Sequence, residues 1–425
     1  MHKMSLVIII GLFPFLLAYG AGFGLGEFGG RAIGMGNAVT AQAYDASTLF
    51  YNPAGLGFLE GTNFYGGVTI IDPAANFVGA KPYFGDTVYD AKEQIFPPVG
   101  IFISHRFSEK IAAGISLTNP FGLGLAWEDN FPGSAISKDA TLESYYITPV
   151  VSYKLMPELS FAVGPDLVIT KLELKRNALL FNTAPGTGTE VGQADLKGTS
   201  SIGVGFTAGL MYQKDRLGLG VMYRHSIKNK VDDGDATFTF LDNLDASTLA
   251  IAQGILVDQK VSTEIDFPNY FVAGVHYMIM EKLGAEFDFA WYGWDVFKEI
   301  SLKFKDDARL NQTLLENYEN SIQLRVGAHY ELTENFSLRA GYIYDKTPQP
   351  IESVSPLLPD DTRNDYTVGI GYKNGNFRVD GGYMYVDIGE RTTVEDGVGK
   401  NDNGFNGTYN SNANLYFISF GYSIK

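Results

Sequence analysis

Over most of its length the chain alternates between apolar residues and polar or glycine residues. Tyr366, Val368, Ile370 and Tyr372 interleave with Thr367, Gly369 and Gly371. Leu217, Leu219, Val221 and Tyr223 interleave with Gly218, Gly220, Met222 and Arg224. Leu324, Val326, Ala328 and Tyr330 interleave with Gln323, Arg325, Gly327 and His329, and Leu283, Ala285, Phe287, Phe289 and Trp291 with Gly284, Glu286, Asp288 and Ala290. A period of 2 puts each set on one face of a strand. The apolar face is continuous and ends in Tyr, Phe or Trp. A soluble sandwich also alternates, but aromatic ends opposite a polar face fit a lipid-facing band with aromatic girdles around a polar interior.

The connections carry the same message. Short links at 107–110, 156–158, 214–216, 281–282, 333–335 and 374–376 alternate strictly with long ones at 72–96, 121–140, 178–193, 232–259, 305–315, 347–362 and 389–410. Tight turns at one end and large loops at the other are the outer-membrane pattern. Together they imply about 14 strands, an even number, running from residues 63–71 to residues 411–424. The predicted fold is all-β: a transmembrane antiparallel β-barrel of about 14 strands over residues 62–425, with an N-terminal hatch, or plug, inside its lumen.

The hatch is predicted at residues 21–61, which show no sustained period of 2 or 3.6. Gly22, Gly24, Gly26, Gly29, Gly30, Gly34 and Gly36 suit a backbone packed into a confined space. The segment closes on Asn52-Pro53-Ala54-Gly55, where Pro53 fixes φ and holds Asn52 extended. Gly24-Leu25-Gly26-Glu27-Phe28-Gly29 matches a dinucleotide fingerprint, but no βαβ unit surrounds it, so nucleotide binding is not expected. Residues 1–20 read as a signal peptide: basic Lys3, an apolar stretch at 4–18, and a small-residue site at Ala18-Tyr19-Gly20. No later apolar run is long enough for a transmembrane helix.

Ala21-Gly22-Phe23, Gly34, Gly36, Asp45 and Asn52-Pro53-Ala54 resemble the hatch of the FadL/TodX family of outer-membrane long-chain fatty acid and aromatic hydrocarbon transporters. Asn119-Pro120-Phe121-Gly122-Leu123-Gly124 with Trp127, Leu358-Pro359-Asp360 with Arg363, and Gly407-Thr408-Tyr409 extend the resemblance to the C-terminus. The chain departs from a common outer-membrane pattern by ending Ser423-Ile424-Lys425 rather than on an aromatic residue. The resemblance implies a fourteen-strand barrel, capture of a hydrophobic ligand in a groove of the third and fourth outer loops, and a third strand kinked inward. That kink would touch the hatch near Asn52, Pro53 and Ala54 and open a sideways exit into the membrane. Gly114, the only glycine inside the third predicted strand, marks the candidate kink.

Composition narrows the chemistry. The chain has 425 residues, 49 Gly, 14% aromatic residues, no Cys and a formal net charge of -16. The acidic balance argues against nucleic acid, and the lack of Cys excludes disulfides and thiolate metal sites. No nucleophile elbow appears. His225 and Ser226 are adjacent, so on a strand they point to opposite faces. The acidic tips Asp232-Asp233-Gly234-Asp235 and Asn401-Asp402-Asn403-Gly404 complete no calcium-loop pattern. No enzyme activity, cofactor or metal is expected.

Greasy loops are the positive signal, because a loop facing only water has no reason to be apolar. The expected groove takes Phe121 and Leu123 from the second long loop and Leu179, Leu180 and Phe181 from the third. From the fourth it takes Phe240, Leu249, Ile251 and Ile255. A lid in which these loops pack on one another is the competing reading. Inward Arg224, Arg325, Arg339 and Arg378 share a face with Glu286, Asp288 and Asp380, where ion pairs are expected to brace the lumen. An arginine fork also suits a fatty-acid carboxylate, which makes Arg325 a head-group candidate. Lys175 and Arg176 lie where the family places such a contact.

The expected function is passive uptake of hydrophobic compounds, long-chain fatty acids first. The expected partners are that ligand (fatty acid or hydrocarbon), outer-membrane lipid and lipopolysaccharide, with the protein a monomer. An aromatic hydrocarbon channel, a general porin and an outer-membrane lipid hydrolase are the alternatives.

Overall fold

A computed structural model describes residues 22–81, 86–180 and 188–425. The expected signal peptide therefore lies outside the described residues. Fourteen strands form a closed antiparallel barrel: β1 Thr62–Gly79, β2 Val99–Arg106, β3 Ile111–Thr118, β4 Asp139–Met156, β5 Leu159–Leu180, β6 Gly203–Lys214, β7 Leu217–Arg224, β8 Asn269–Met280, β9 Leu283–Gly293, β10 Ser321–Glu331, β11 Phe336–Asp345, β12 Arg363–Asn374, β13 Phe377–Thr392 and β14 Gly407–Ile424. Each strand pairs with the next. β14 closes the ring on β1, in register from Thr62 opposite Ile424 to Gly79 opposite Gly407. Closure removes the sheet edge, which lipid would leave without hydrogen-bond partners.

Side-chain burial sorts the two faces as the alternation predicts. Val326, Phe287, Val368, Ile370, Ile418 and Phe420 are exposed on the outside, while Arg325, Glu286, Asp288, Thr367 and Ser419 are buried within. Aromatic pairs across neighbouring strands bound the outer belt. Phe336 and Tyr372 lie 5.0 Å apart at the short-turn end; Tyr342–Tyr366 and Tyr383–Tyr416, each at 5.4 Å, lie at the other.

Two departures have local causes. A loop was expected from residue 72, yet β1 runs through Pro73 to Gly79. Pairing with β2 stops at Val68, and beyond it that edge is bonded at Thr69, Ile71 and Ala75 but not at Pro73, so a residue without an N–H is tolerated there. Four long predicted strands are also interrupted, and a short strand, Gln312–Leu315, forms where a loop was expected. The outer portions of the four, Thr189–Thr199, Ile227–Phe240, Gln259–Phe267 and Glu299–Phe304, continue the wall beyond the aromatic belt, with Gln312–Leu315 paired to the last of them. Pro268 makes one of these breaks.

Residues 22–59 occupy the bore and are almost all buried. They fold as helix α1 Gly30–Ile33, helix α2 Thr48–Tyr51 and a 3₁₀ turn at Pro53–Phe58. Helices this short do not hold themselves, so the wall must hold them.

Candidate functional site

The wall grips the plug through its backbone. On β9, Asp288 Oδ2 accepts from the amides of Val39 and Thr40, each at 3.2 Å, and from the Thr40 hydroxyl at 2.7 Å. Glu286 accepts from the Ala41 amide and the Gln42 side chain, both at 2.6 Å. On the other side, Gly30 donates to Ser419 Oγ at 2.9 Å, and the Thr367 hydroxyl donates to the Ile33 carbonyl at 2.9 Å. These bonds satisfy plug amides that no regular secondary structure serves. Asp288→Ala would leave the Thr40 amide and hydroxyl unpaired and the Val39 amide with only the Asn37 carbonyl at 3.1 Å, and is expected to weaken docking of this segment by on the order of 2 kcal/mol. Amide hydrogen exchange at Val39, Thr40 and Ala41 reads this directly; wild-type protection in the variant would show that the carboxylate does not hold the plug.

Glycines on the inward face make the fit possible. A Cβ at Gly220 would overlap the Thr40 carbonyl, one at Gly327 the Met35 carbonyl, and one at Gly341 the backbone of Met35 and Gly36. The plug turns at Gly36, where φ is +61°. The inward arginines mostly form ion pairs: Arg339–Asp380 at 2.7 Å, Arg378–Asp45 at 3.1 Å and Arg224–Asp166 at 3.5 Å.

Asn52 caps the 3₁₀ turn, accepting from the Ala54 amide at 3.2 Å, with Pro53 at the first position. Its side-chain amide donates to Leu210 of β6 at 3.1 Å and to Thr40 at 2.8 Å. The family likeness put this motif against the third strand. Here the Asn52 side chain bonds β6, the Pro53–Phe58 turn packs beside β3 as well as β4, β5 and β6, and Leu49 of α2 lies against Gly114: a Cβ there would lie 3.0 Å from both Leu49 methyls and 2.8 Å from the Ile103 carbonyl. β3 itself pairs with both neighbours without a register break. The ladder lapses one strand further on, between Ile147–Leu167 and Val151–Val163 of β4 and β5, where Pro149 faces Pro165. The Thr148 hydroxyl bridges the lapse to Asp166 at 2.5 Å.

Above the plug the bore turns apolar. On β5 the inward residues change from Ser160, Asp166 and Thr170 to Leu172 and Leu174. With Leu123, Leu142, Leu196, Val261, Ile265, Phe297, Leu302 and Leu358, these two line a pocket of about 810 Å³ including its open mouth. Phe23 of the plug lies at its floor, against Trp294 and Phe297 at ring separations of 4.8 and 5.1 Å.

Of the expected groove residues, Leu123 lines this pocket and the others described do not. Phe121 lies below, stacked on Phe267 at 4.4 Å, while the neighbouring Gly122 amide donates to the Phe23 carbonyl at 2.9 Å. Leu180, Phe240 and Ile255 pack into a separate cluster with Val191 and Ala252, which is the lid arrangement. It seats helix α3, Ala246–Ile255, capped by Asp245. Leu249 is half-buried and Ile251 exposed on that helix; Leu179 is half-buried beside Leu180. Phe181 lies outside the described residues. Spacing alone cannot separate a loop that packs on its neighbour from one that lines a cavity.

The head-group candidates also separate. Lys175 pairs with Glu173 at 3.1 Å and Asp139 at 3.2 Å. Arg325 is committed to the Asn37 carbonyl at 3.3 Å and the Tyr292 hydroxyl at 3.0 Å, deep against the plug. Arg176, next inward after Leu174, bonds the neutral side chain of Gln312 at 2.5 Å. Leu142, Leu172, Leu174, Leu196 and Leu302 of the pocket were missed because they lie inside predicted strands. The visible signal was two successive inward leucines, Leu172 and Leu174, closing a face of β5 made mostly of small or polar residues. Among the described residues no three metal-ligating side chains cluster.

The model of the outer membrane protein transport family (OMPP1/FadL/TodX) matches residues 16–424. The chain is 26% identical over 428 residues to the long-chain fatty acid transport protein of Escherichia coli O6:H1, covering 93% of each. It is 25% identical to outer membrane protein P1 of Haemophilus influenzae, covering 96% of each. Among solved structures, a Pseudomonas aeruginosa FadL homologue superposes with a TM-score of 0.82 at 21% identity, over 95% of this chain and all of that one. The Pseudomonas putida toluene transporter TodX superposes with a TM-score of 0.71 at 16% identity, over 95% of this chain and 99% of the other.

Proposed function

The chain belongs to the OMPP1/FadL/TodX family of outer-membrane transport proteins, and from that premise we propose that it takes up long-chain fatty acids by passive diffusion. The observation that carries this reading is an apolar pocket held open directly above a bonded plug. A general porin needs a clear polar bore, and this one is filled. The relatives named for long-chain fatty acid transport favour a fatty acid. The likeness to toluene transporters, at under 25% identity, speaks for the fold alone.

In this reading ligand lands on the exposed outer loops around Leu249 and Ile251 and passes into the pocket. Arg176, outward of Leu174, is the first head-group contact, because it bonds only a neutral side chain, whereas Lys175 is paired with two carboxylates and Arg325 is committed deep against the plug. Burial of the tail supplies the affinity, at about 0.8 kcal/mol per CH₂. Release is sideways through the wall beside Gly114, where the facing prolines Pro149 and Pro165 thin the ladder. Each proline lacks an N–H, so parting the strands there strands fewer donors in lipid.

Uptake of labelled palmitate by cells lacking their own transporter tests the reading; no gain over empty cells would end it. Leu142→Asp puts a charge on the pocket wall and is expected to weaken palmitate binding in detergent at least tenfold. Serine at both Leu249 and Ile251 is expected to slow capture and leave equilibrium affinity within about twofold, since neither residue lines the pocket. Equal binding by the Leu142→Asp protein would place the ligand elsewhere.

A further inference from the structure

One ionisable residue lies deep in the apolar pocket. Glu316 is 3% exposed, and its Oε2 has no hydrogen-bond partner. It lines the pocket beside Leu314, Phe297 and Leu357. It lies five residues before β10, whose first residue, Ser321, pairs with Tyr292 next to the belt residue Trp291. Glu316 is therefore outside the membrane-spanning strands. Two residues on, the hydroxyl of buried Tyr318 is also without a partner. The nearest strong charges serve one another: Arg363 pairs with Asp360 at 2.6 Å and Arg391 with Asp361 at 3.4 Å. Lys197, at the rim, pairs with Glu173 at 2.9 Å.

We propose that Glu316 is a specificity-determining residue of this pocket, selecting apolar ligands that carry an uncharged hydroxyl, as an alcohol or a protonated carboxylic acid, over plain hydrocarbons. The proposal rests on the hydrophobic-ligand reading above. A buried polar atom left without a partner is costly, and a ligand that completes its hydrogen bond recovers that cost. Burial pushes the Glu316 carboxyl up to about 8, opposed only by the neighbouring Gln349 amide. At neutral pH it therefore holds its proton, and a protonated carboxyl both donates and accepts. A ligand hydroxyl does the same, so the two match with no net charge brought into the apolar site. A hydrocarbon fills the space and leaves Oε2 orphaned. Sites built to hydrogen-bond a hydroxyl discriminate strongly against analogues that lack it.

The test uses the full-length protein in detergent micelles with the apolar dye N-phenyl-1-naphthylamine in the pocket. Displacement is measured with 1-dodecanol and dodecane at pH 7, and with dodecanoic acid at pH 4, where it is largely protonated; dodecanol and dodecanoic acid separate the alcohol from the acid as sources of the hydroxyl. The wild type is expected to prefer dodecanol over dodecane about tenfold more than Glu316→Leu does, a comparison in which micelle partitioning cancels. Glu316→Gln, which still donates and accepts, is expected to keep most of the preference, and heat-modifiable gel mobility checks that both variants fold. Equal preference in all three proteins, with dye and dodecane still bound, overturns the role of Glu316 alone. Absence of dye binding to the wild type overturns the hydrophobic-ligand reading along with it.

Discussion

Gly341→Val, combined with Gly220→Val, is expected to convert the barrel from a closed to an ion-conducting state. At both positions a Cβ would overlap plug backbone: Met35 and Gly36 at one, the Thr40 carbonyl at the other. Backbone cannot rotate aside as a flexible side chain does, and strands laddered on both edges, β7 by β6 and β8 and β11 by β10 and β12, resist moving outward. The plug is the softer body, built from helices of four residues. Its displacement would also break the Glu286 and Asp288 bonds on the neighbouring wall. Conductance in planar bilayers is expected to rise from near zero to steady porin-like openings, while heat-modifiable mobility shows an intact barrel. A folded double variant that stays closed would mean that the plug tolerates being pushed, and that the wall glycines do not set its seat.

The second large effect is expected at Gly114→Arg, with palmitate uptake falling to the level of cells without the protein. At Gly114 β3 lies against the plug, at the Leu49 methyls. It pairs with Val150, next to Pro149 and the lapse between β4 and β5. A long cation there fills the proposed passage and puts a charge in the path of an apolar tail. Binding in detergent is expected to survive, because the pocket lies beyond the plug. That separation of binding from uptake is the informative result. Unchanged uptake would remove the sideways exit at this place, whereas joint loss of binding and uptake would point to a disturbed plug.

The barrel was legible because a lipid-facing wall allows few sequences. Each outward position must be apolar, each turn at one end short, and the ring closed, so alternation and loop lengths were enough to count strands. The plug was legible as a negative, a stretch with glycines and no period. Which wall residues hold it was not legible. Asp288 reads like any inward carboxylate, and only the folded chain brings it within 3.2 Å of amides about 250 residues away. The loop residues show the same limit. Leu123 and Leu180 look alike in sequence, yet one lines the pocket and the other packs under helix α3.

The sequence by itself determined the fold class, the membrane belt and the presence of a stopper, because these follow from local periodicity and from the cost of polar backbone in lipid. The tertiary structure alone decided where the pocket lies, how Lys175, Arg176 and Arg325 are partnered, and where the wall ladder thins. Those features depend on strands brought side by side by ring closure, and no local pattern records which residues will then face each other.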